Sequence, residues 1–136
     1  MPEPRPEPVL QQYFTSCRYH ATLRMRLEVG VPGHARVHQS WSEDLDQGMG
    51  MVHGGVYAAL LDTASYYAAL SACPAEEGLP LTQEYKINLL ASARRQDLVA
   101  DSRTVKVGRR VVVVETRITT AEGTLLAVGL TSLLRT

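Results

Sequence analysis

The sequence predicts an α+β domain in which one long helix packs against an antiparallel sheet. Three observations support this fold class: two alternating segments near the start, one long apolar run in the middle, and four strand-like segments after it. The length of 136 residues suits a single domain. We expect an N-terminal arm with a possible short helix in residues 1–20, and one domain over residues 21–136.

Each of the first elements follows from its local pattern. Alternating prolines in residues 1–8 are typical of an extended arm, and this stretch lacks the apolar run of a secretory signal. The segment Leu23–Val29 alternates apolar and charged side chains, which predicts a half-buried strand. Pro32-Gly33 predicts a turn, and Ala35–Trp41 alternates again, so the two segments are expected to form a hairpin.

The central run from Val56 to Ala72 predicts one long helix, because it is rich in Ala and Leu and exceeds the usual length of a strand. Pro74 and Gly78 are expected to end it. Because the run is apolar on nearly all sides, the helix should be covered over most of its surface. Four strands are predicted after the helix: Thr82–Leu90, Asp97–Val107, Arg110–Thr119 and Thr124–Leu134.

The composition excludes several classes of function. The 14 cationic and 14 anionic side chains cancel, so we expect neither nucleic acid nor a membrane as a partner. Cys17 and Cys73 are too few for a disulfide scaffold, and we expect reduced thiols in a cytoplasmic protein. The chain lacks P-loop, G-x-S-x-G and H-E-x-x-H motifs, and its histidines show no metal-ligand spacing, so we expect no metal ion and no cofactor.

A single formally charged side chain, Asp62, stands in the segment from Gln47 to Ala75. A lone buried carboxylate is costly unless it has a partner or a function. On a helix, the residues three and four positions away from it are small or can donate hydrogen bonds, which leaves room for a ligand or a water molecule. Two hypotheses stay open: a catalytic carboxylate, or an acceptor for the backbone of a neighbouring subunit.

The pair Gly54-Gly55 stands at the expected start of the helix. The backbone there can approach a ligand closely, and the free N–H groups of the first turn can polarise a carbonyl group. A turn that only allows tight packing is the alternative. His53 could cap the helix or position this loop, and Gln47 could orient a water molecule or a substrate carbonyl. Tyr66, one turn after the carboxylate, is a candidate substrate contact, although a core position would explain it too.

The segment from Val52 to Asp62 reads Val-His-Gly-Gly-Val-Tyr-Ala-Ala-Leu-Leu-Asp. It resembles the H-G-G-x(6)-D signature of the PaaI-type hotdog-fold acyl-CoA thioesterases, and the likeness extends over about Leu27 to Leu133. The resemblance implies that residues 21–136 form a single hotdog domain, in which a curved antiparallel sheet wraps around one long central helix. It also implies homodimers that assemble into homotetramers, with the glycine turn of one subunit facing the aspartate of the other.

The resemblance also implies roles for individual residues. Asp62 would act as a general base on water or as a nucleophile towards the thioester carbonyl. The backbone of Gly54-Gly55 would bind the thioester oxygen, and His53 would support that loop. Thr82 matches a Ser/Thr position near the catalytic carboxylate, where it helps to place the water molecule. Gln47 stands where the family usually has Asn, so its amide would orient water or the carbonyl from a side chain one methylene longer.

The implied reaction is the hydrolysis of an acyl-CoA, with an aromatic or a short to medium-chain acyl group, to the free acid and CoA. Arginines in two turns are candidate contacts for the CoA phosphates, because a guanidinium group can bond two oxygens at once: Arg94, Arg95, Arg109 and Arg110. Solvated strand ends would explain the same residues. Three alternative functions remain: a non-catalytic acyl-CoA-binding hotdog protein, a hotdog dehydratase or hydratase, and a structural subunit unrelated to CoA.

Overall fold

A computed structural model of the chain, which describes residues 2–136, contains one antiparallel sheet of six strands and one long helix. The strands are β1 (Met25–Val29), β2 (His34–Gln39), β3 (Leu81–Leu89), β4 (Leu98–Val107), β5 (Val111–Thr120) and β6 (Leu125–Leu134). The helices are α1 (Glu7–Ser16), α2 (Arg18–Thr22) and α3 (Gly54–Ala72), with a short 3-10 turn at Glu43–Leu45. The predicted α+β arrangement is confirmed.

The strands lie side by side in the order β1-β2-β4-β5-β6-β3, and every neighbouring pair is antiparallel. The chain therefore leaves β2, crosses the sheet face as α3, and returns at the far edge as β3. All six predicted strands are present, with ends that differ by a few residues at most. The central helix begins two residues earlier than expected, at Gly54, because the side chain of His53 caps it.

Helix α3 supplies much of the core. Leu60, Leu61, Ala64 and Ala68 are fully buried where α3 packs against the sheet. The close approach depends on Gly129 in β6, where a Cβ atom would collide with the side chain of Leu61. The expectation of a helix covered on most sides is thus confirmed. None of the helices in residues 2–136 is long and apolar enough to cross a membrane.

The N-terminal segment is anchored to the end of α3. Arg5, only 7% exposed, donates hydrogen bonds to the carbonyl oxygens of Cys73 (3.3 Å) and Glu77 (2.6 Å). Helix α1 follows, and its Leu10 and Phe14 are buried in the core. This anchoring places the junction of α1 and α2 beside the middle of the central helix.

Strand β3 differs from the other long strands because most of its residues are exposed. It forms one edge of the sheet and pairs only with β6. Three large apolar side chains on it are exposed: Leu81 by 58%, Tyr85 by 43% and Leu89 by 54%. Exposed apolar surface along an unpaired edge is typical of a surface that another chain covers.

Candidate active site

The carboxylate of Asp62 lies half-buried near the middle of α3. Its Oδ1 accepts a hydrogen bond of 2.9 Å from the hydroxyl group of Thr82, the second residue of β3. The structure therefore brings Thr82 beside Asp62, two residues that the sequence resemblance places near each other. They meet because α3 packs against the edge strand, and the bond leaves Oδ2 available to a ligand or water.

A cavity of about 270 Å³ opens beside this carboxylate. Its lining includes Cys17, His20, Asp62, Tyr66, Tyr67 and Thr82. Burial raises the pKa of both tyrosines, which keeps their phenol groups neutral. The cavity thus joins one carboxylate to three aromatic side chains, and such a mixed lining can accept a partly apolar ligand.

Tyr66 lines the cavity, as expected of a substrate contact, but four other lining residues were not predicted as site residues: Cys17, His20, Thr63 and Tyr67. Cys17 and His20 come from the junction of α1 and α2, and Tyr67 is the neighbour of Tyr66 on α3. No local pattern marks Cys17 or His20, because they reach the cavity only through the packing of α1 and α2 against the central helix.

The start of α3 has one free backbone donor. The Nδ1 atom of His53 accepts a hydrogen bond of 2.8 Å from the N–H group of Gly55, which is a helix cap. The N–H group of His53 in turn donates to the carbonyl oxygen of Leu45 (2.8 Å). Within residues 2–136 the N–H group of Gly54 has no protein partner. Of the two glycines in the motif, Gly54 is therefore the one that can donate to a ligand.

The loop before this helix is held by its own side chains. The carboxylate of Asp46 accepts hydrogen bonds from the N–H groups of Gly48 (2.7 Å) and Gly50 (2.8 Å), and these bonds lower its pKa. The Oε1 atom of Gln47 accepts from the N–H group of Met49 at 2.5 Å. Gln47 is exposed, and its amide nitrogen is the group that remains for a substrate or water.

The candidate arginines form two separate pairs within one chain. Arg94 donates to the carbonyl oxygen of Met49 (3.3 Å), so Arg94-Arg95 lie beside the glycine loop. Arg109-Arg110 lie in the turn after β4, at the other end of that strand. A ten-residue strand is about 30 Å long. One chain therefore cannot bring all four guanidinium groups to one phosphate.

The two catalytic candidates, Gly54 and Asp62, are also too far apart within one chain to act on the same atom. Gly54 and Asp62 lie on one helix, and eight residues of helix span about 12 Å. A carbonyl oxygen bonded to the free N–H group of Gly54 would lie far outside the reach of the carboxylate in the same chain. The two candidate groups of one chain therefore lie near opposite ends of β3.

A larger concavity, of about 690 Å³, lies on the outer face of the sheet and includes Arg36, Asp101 and Arg117. Its Asp101 carboxylate is already paired, because it accepts from Arg36 at 2.6 Å and from His34 at 3.2 Å. The smaller cavity is the better candidate site, because its carboxylate has a free oxygen and lies beside the aromatic side chains of the central helix. Within residues 2–136 no group of three or more His, Cys, Asp or Glu side chains is arranged to hold a metal ion.

Comparison with known protein families identifies the superfamily of this chain. The Thioesterase superfamily matches residues 49–127, a range that includes the glycine turn, α3 and strands β3 to β5. The chain belongs to the thioesterase superfamily. The six-stranded sheet around a central helix is the hotdog fold of that superfamily, as the sequence resemblance implied.

Similarity to individual proteins supports this superfamily assignment. A protein of Halobacterium salinarum, named as a putative esterase, is 34% identical over 131 residues, which cover 89% of this chain and 86% of the relative. The crystal structure of a thioesterase family protein from Silicibacter pomeroyi is 27% identical, with a TM-score of 0.86 over 93% of this chain and 94% of that one. A Streptococcus mutans protein, solved with bound acetyl-CoA, is 24% identical, with a TM-score of 0.74 over 82% and 88% of the two chains.

Proposed function

We propose that this thioesterase-superfamily protein is a PaaI-type acyl-CoA thioesterase, which hydrolyses an acyl-CoA to the free acid and CoA. One observation carries the proposal: the carboxylate of Asp62, held by Thr82 at 2.9 Å, faces a cavity of about 270 Å³. A cavity of that size accommodates an aromatic or a short to medium-chain acyl group.

Asp62 activates the attacking group in this reaction. As a general base, its free Oδ2 removes a proton from a water molecule, whose oxygen then attacks the thioester carbonyl carbon. As a nucleophile, the same oxygen attacks that carbon directly, and water then hydrolyses the resulting anhydride. In both routes the C–S bond breaks, the electron pair leaves with the CoA sulfur, and that sulfur takes up a proton. The hydroxyl group of Thr82 fixes the carboxylate through Oδ1.

The thioester oxygen needs a donor where its negative charge develops, and the free N–H group of Gly54 is suited to that role. His53 keeps the glycine turn in place by capping the helix through the N–H group of Gly55. Gln47 completes the loop, and its amide nitrogen orients the carbonyl group or the water molecule. Since about 12 Å of helix separates Gly54 from Asp62 in one chain, the donor comes from a second copy of the chain.

The unpaired edge of β3 is suited to provide that second copy. Antiparallel pairing of two β3 strands around a two-fold axis brings the Leu89 end of one strand to the Leu81 end of the other. Gly54 lies beside Leu89, since a Cβ atom on Gly54 would be 3.4 Å from Leu89 Cδ1. Thr82, next to Leu81, bonds to Asp62. The pairing therefore places the partner's Gly54 opposite Asp62, and such homodimers can pair further into homotetramers.

The same pairing gives both arginine pairs a place near the CoA phosphates. Arg94-Arg95 of the partner subunit would accompany its glycine turn to the site. Arg109-Arg110 belong to the chain that supplies Asp62, because residue pairing places Leu81 beside Leu134 and Leu134 beside Val111. The acetyl-CoA bound to the Streptococcus mutans protein supports CoA as the ligand class. The free cysteines fit a reducing compartment such as the cytoplasm.

The test is the release of free thiol from a panel of acyl-CoAs by the purified full-length protein. We expect turnover of at least one acyl-CoA, and a loss of kcat of about 100-fold or more in Asp62→Asn. Thr82→Val should lose about tenfold, since it removes a hydrogen bond to a charged group. Glu122→Gln, which changes an exposed carboxylate in the β5–β6 turn, is the matched control and should match the wild type.

Two results would contradict the proposal. Binding of acyl-CoAs without any thiol release would support the non-catalytic acyl-CoA-binding function. Equal rates of thiol release for the wild type and Asp62→Asn would show that Asp62 takes no part in the reaction.

A further inference from the structure

One thiol group of this chain opens into the candidate active site. Cys17 is half-buried at the junction of α1 and α2, and it lines the cavity of about 270 Å³ that also contains the carboxylate of Asp62. A sphere of that volume is about 8 Å across, so the thiol and the carboxylate face one small space. The proposed hydrolysis gives this thiol group no role.

The second cysteine of the chain differs from Cys17 in access and in acidity. Cys73 caps the end of α3, is 1% exposed, and has a thiol whose pKa is raised by burial. Reaction of a thiol with a solute requires both access and the thiolate form, so Cys73 is expected to be inert. Cys17 is therefore the thiol that a ligand in the active site can reach.

A buried base stands in the same wall of the cavity as Cys17. His20 is 9% exposed, and its ring stacks on Phe14 with 4.2 Å between the ring centroids. Its Nδ1 lies 2.8 Å from the carbonyl oxygen of Phe14, which can only accept, so Nδ1 carries the proton of the neutral ring. The other ring nitrogen, Nε2, has no hydrogen-bond partner in the part of the chain that the structure describes. It is available to take a proton from a group in the cavity, directly or through water.

We propose that Cys17 is a modification site, at which the disulfide form of CoA attaches one CoA moiety through a mixed disulfide and thereby closes the active site. The inference rests on the proposed function, because the contacts that bind an acyl-CoA would also bind the CoA disulfide. A CoA moiety without an acyl group leaves the cavity beside Asp62 empty, so its sulfur can advance towards Cys17. Binding at the site also raises the local concentration of this disulfide at the thiol.

The step is a thiol–disulfide exchange. The thiol of Cys17 gives its proton to Nε2 of His20, and the thiolate attacks one sulfur atom of the CoA disulfide. The S–S bond of that disulfide breaks, its electron pair leaves with the second sulfur, and this sulfur takes up a proton to form free CoA. Cys17 is thereby oxidised, and one half of the CoA disulfide is reduced. The attached CoA occupies the place of the substrate until a thiol reductant reverses the exchange, and such transient disulfides are the kind found in reducing compartments.

The experiment treats the purified full-length protein with CoA disulfide and, separately, with glutathione disulfide, which has the same reactive bond and no CoA moiety. We expect a mass gain of one CoA moiety per chain, assigned to Cys17 by peptide mass spectrometry. Its rate should exceed the rate with glutathione disulfide by about tenfold or more. After removal of the reagent, thiol release from an acyl-CoA should fall in proportion to the modified fraction, and it should return after treatment with dithiothreitol and desalting.

Two variants test the residues separately. Cys17→Ser, compared with its own untreated rate, should gain no mass and lose no activity on treatment with CoA disulfide. His20→Asn keeps the bond to Phe14, because its amide N–H can take the place of Nδ1, and it removes Nε2. The adduct should form about tenfold more slowly in His20→Asn, since the thiol loses its proton acceptor. Thermal unfolding of each variant reports on the fold.

Three results would overturn the inference: no adduct at Cys17, equal rates with the two disulfides, or an adduct that leaves thiol release unchanged. An unchanged rate of modification in His20→Asn would contradict the role of His20 as proton acceptor. All of these outcomes leave the proposed function intact, since the untreated protein still hydrolyses acyl-CoA. If the untreated protein hydrolyses no acyl-CoA, the proposed function fails by itself. The rates of adduct formation with the two disulfides, measured by mass, then decide the inference.

Discussion

Replacing Gly54 with proline should abolish the proposed oxyanion donor of this thioesterase-superfamily protein while leaving its fold intact. Gly54 is the first residue of α3, where proline is well tolerated because the N–H group there has no helical partner. His53 before it has φ −62° and ψ 138°, the extended conformation that a residue before proline prefers. The substitution therefore deletes the one free N–H group at this turn.

The expected loss follows from the role of that donor. Removing one hydrogen-bond donor from an oxyanion hole lowers kcat by about 100- to 1,000-fold. Gly54→Ala is the matched control, because it adds a Cβ atom and keeps the N–H group. That Cβ atom would lie 3.4 Å from Leu89 Cδ1, an ordinary contact. Gly54→Ala should therefore stay within about tenfold of the wild type.

The same variant tests whether two chains share each site. Gly54→Pro and Asp62→Asn are each expected to be inactive, and we expect a co-expressed one-to-one mixture to recover about a quarter of the wild-type activity. The reason is that half of the sites receive an intact carboxylate, and half of those receive an intact glycine turn. Thiol release by the co-purified mixture, from two differently tagged chains, measures the recovery.

Two results would refute this reasoning. Gly54→Pro with the activity of Gly54→Ala would show that the backbone donor takes no part in the reaction. A mixture that forms hybrid dimers, as the two tags would report, and yet stays inactive would place both groups of each site in one chain.

Two further predictions concern stability. Gly129→Ala should lower the free energy of unfolding by about 1 to 3 kcal/mol in urea denaturation, because its Cβ atom would lie 2.5 Å from the backbone oxygen of Lys86, which cannot move aside; an unchanged midpoint would contradict this. For Asp101, burial raises the pKa, but hydrogen bonds led by the one from Arg36 outweigh it and hold that pKa below its ordinary value. The charged carboxylate therefore stabilises the fold above the unfolded pKa, and this is lost as the pH falls through the folded pKa. Asp101→Asn should be less stable than the wild type by about 1 kcal/mol at pH 7 and equally stable near pH 2, whereas a difference that persists at low pH would contradict the assignment.

Some features of this protein follow from local sequence pattern, and others depend on the packing of distant segments. The alternation in Leu23–Val29 and the Ala- and Leu-rich run before Pro74 report on which face of each element is buried, so the fold class could be predicted. The spacing from His53 to Asp62 likewise places a cap, a glycine turn and a carboxylate on one helix. These features depend on residues close together in the chain.

The tertiary structure decided which distant groups meet. The family resemblance places Thr82 near Asp62, but the bond between them joins residues 20 positions apart and no local pattern predicts it. His20 lies beside both only because α1 and α2 pack on α3. The side chain of His53 accepts a hydrogen bond from the N–H group of Gly55. The motif alone does not predict which of the two glycines keeps a free N–H group. Local pattern sets the elements because propensity and burial act within a few residues, whereas hydrogen-bond partners and cavity walls are set by the packing of distant segments.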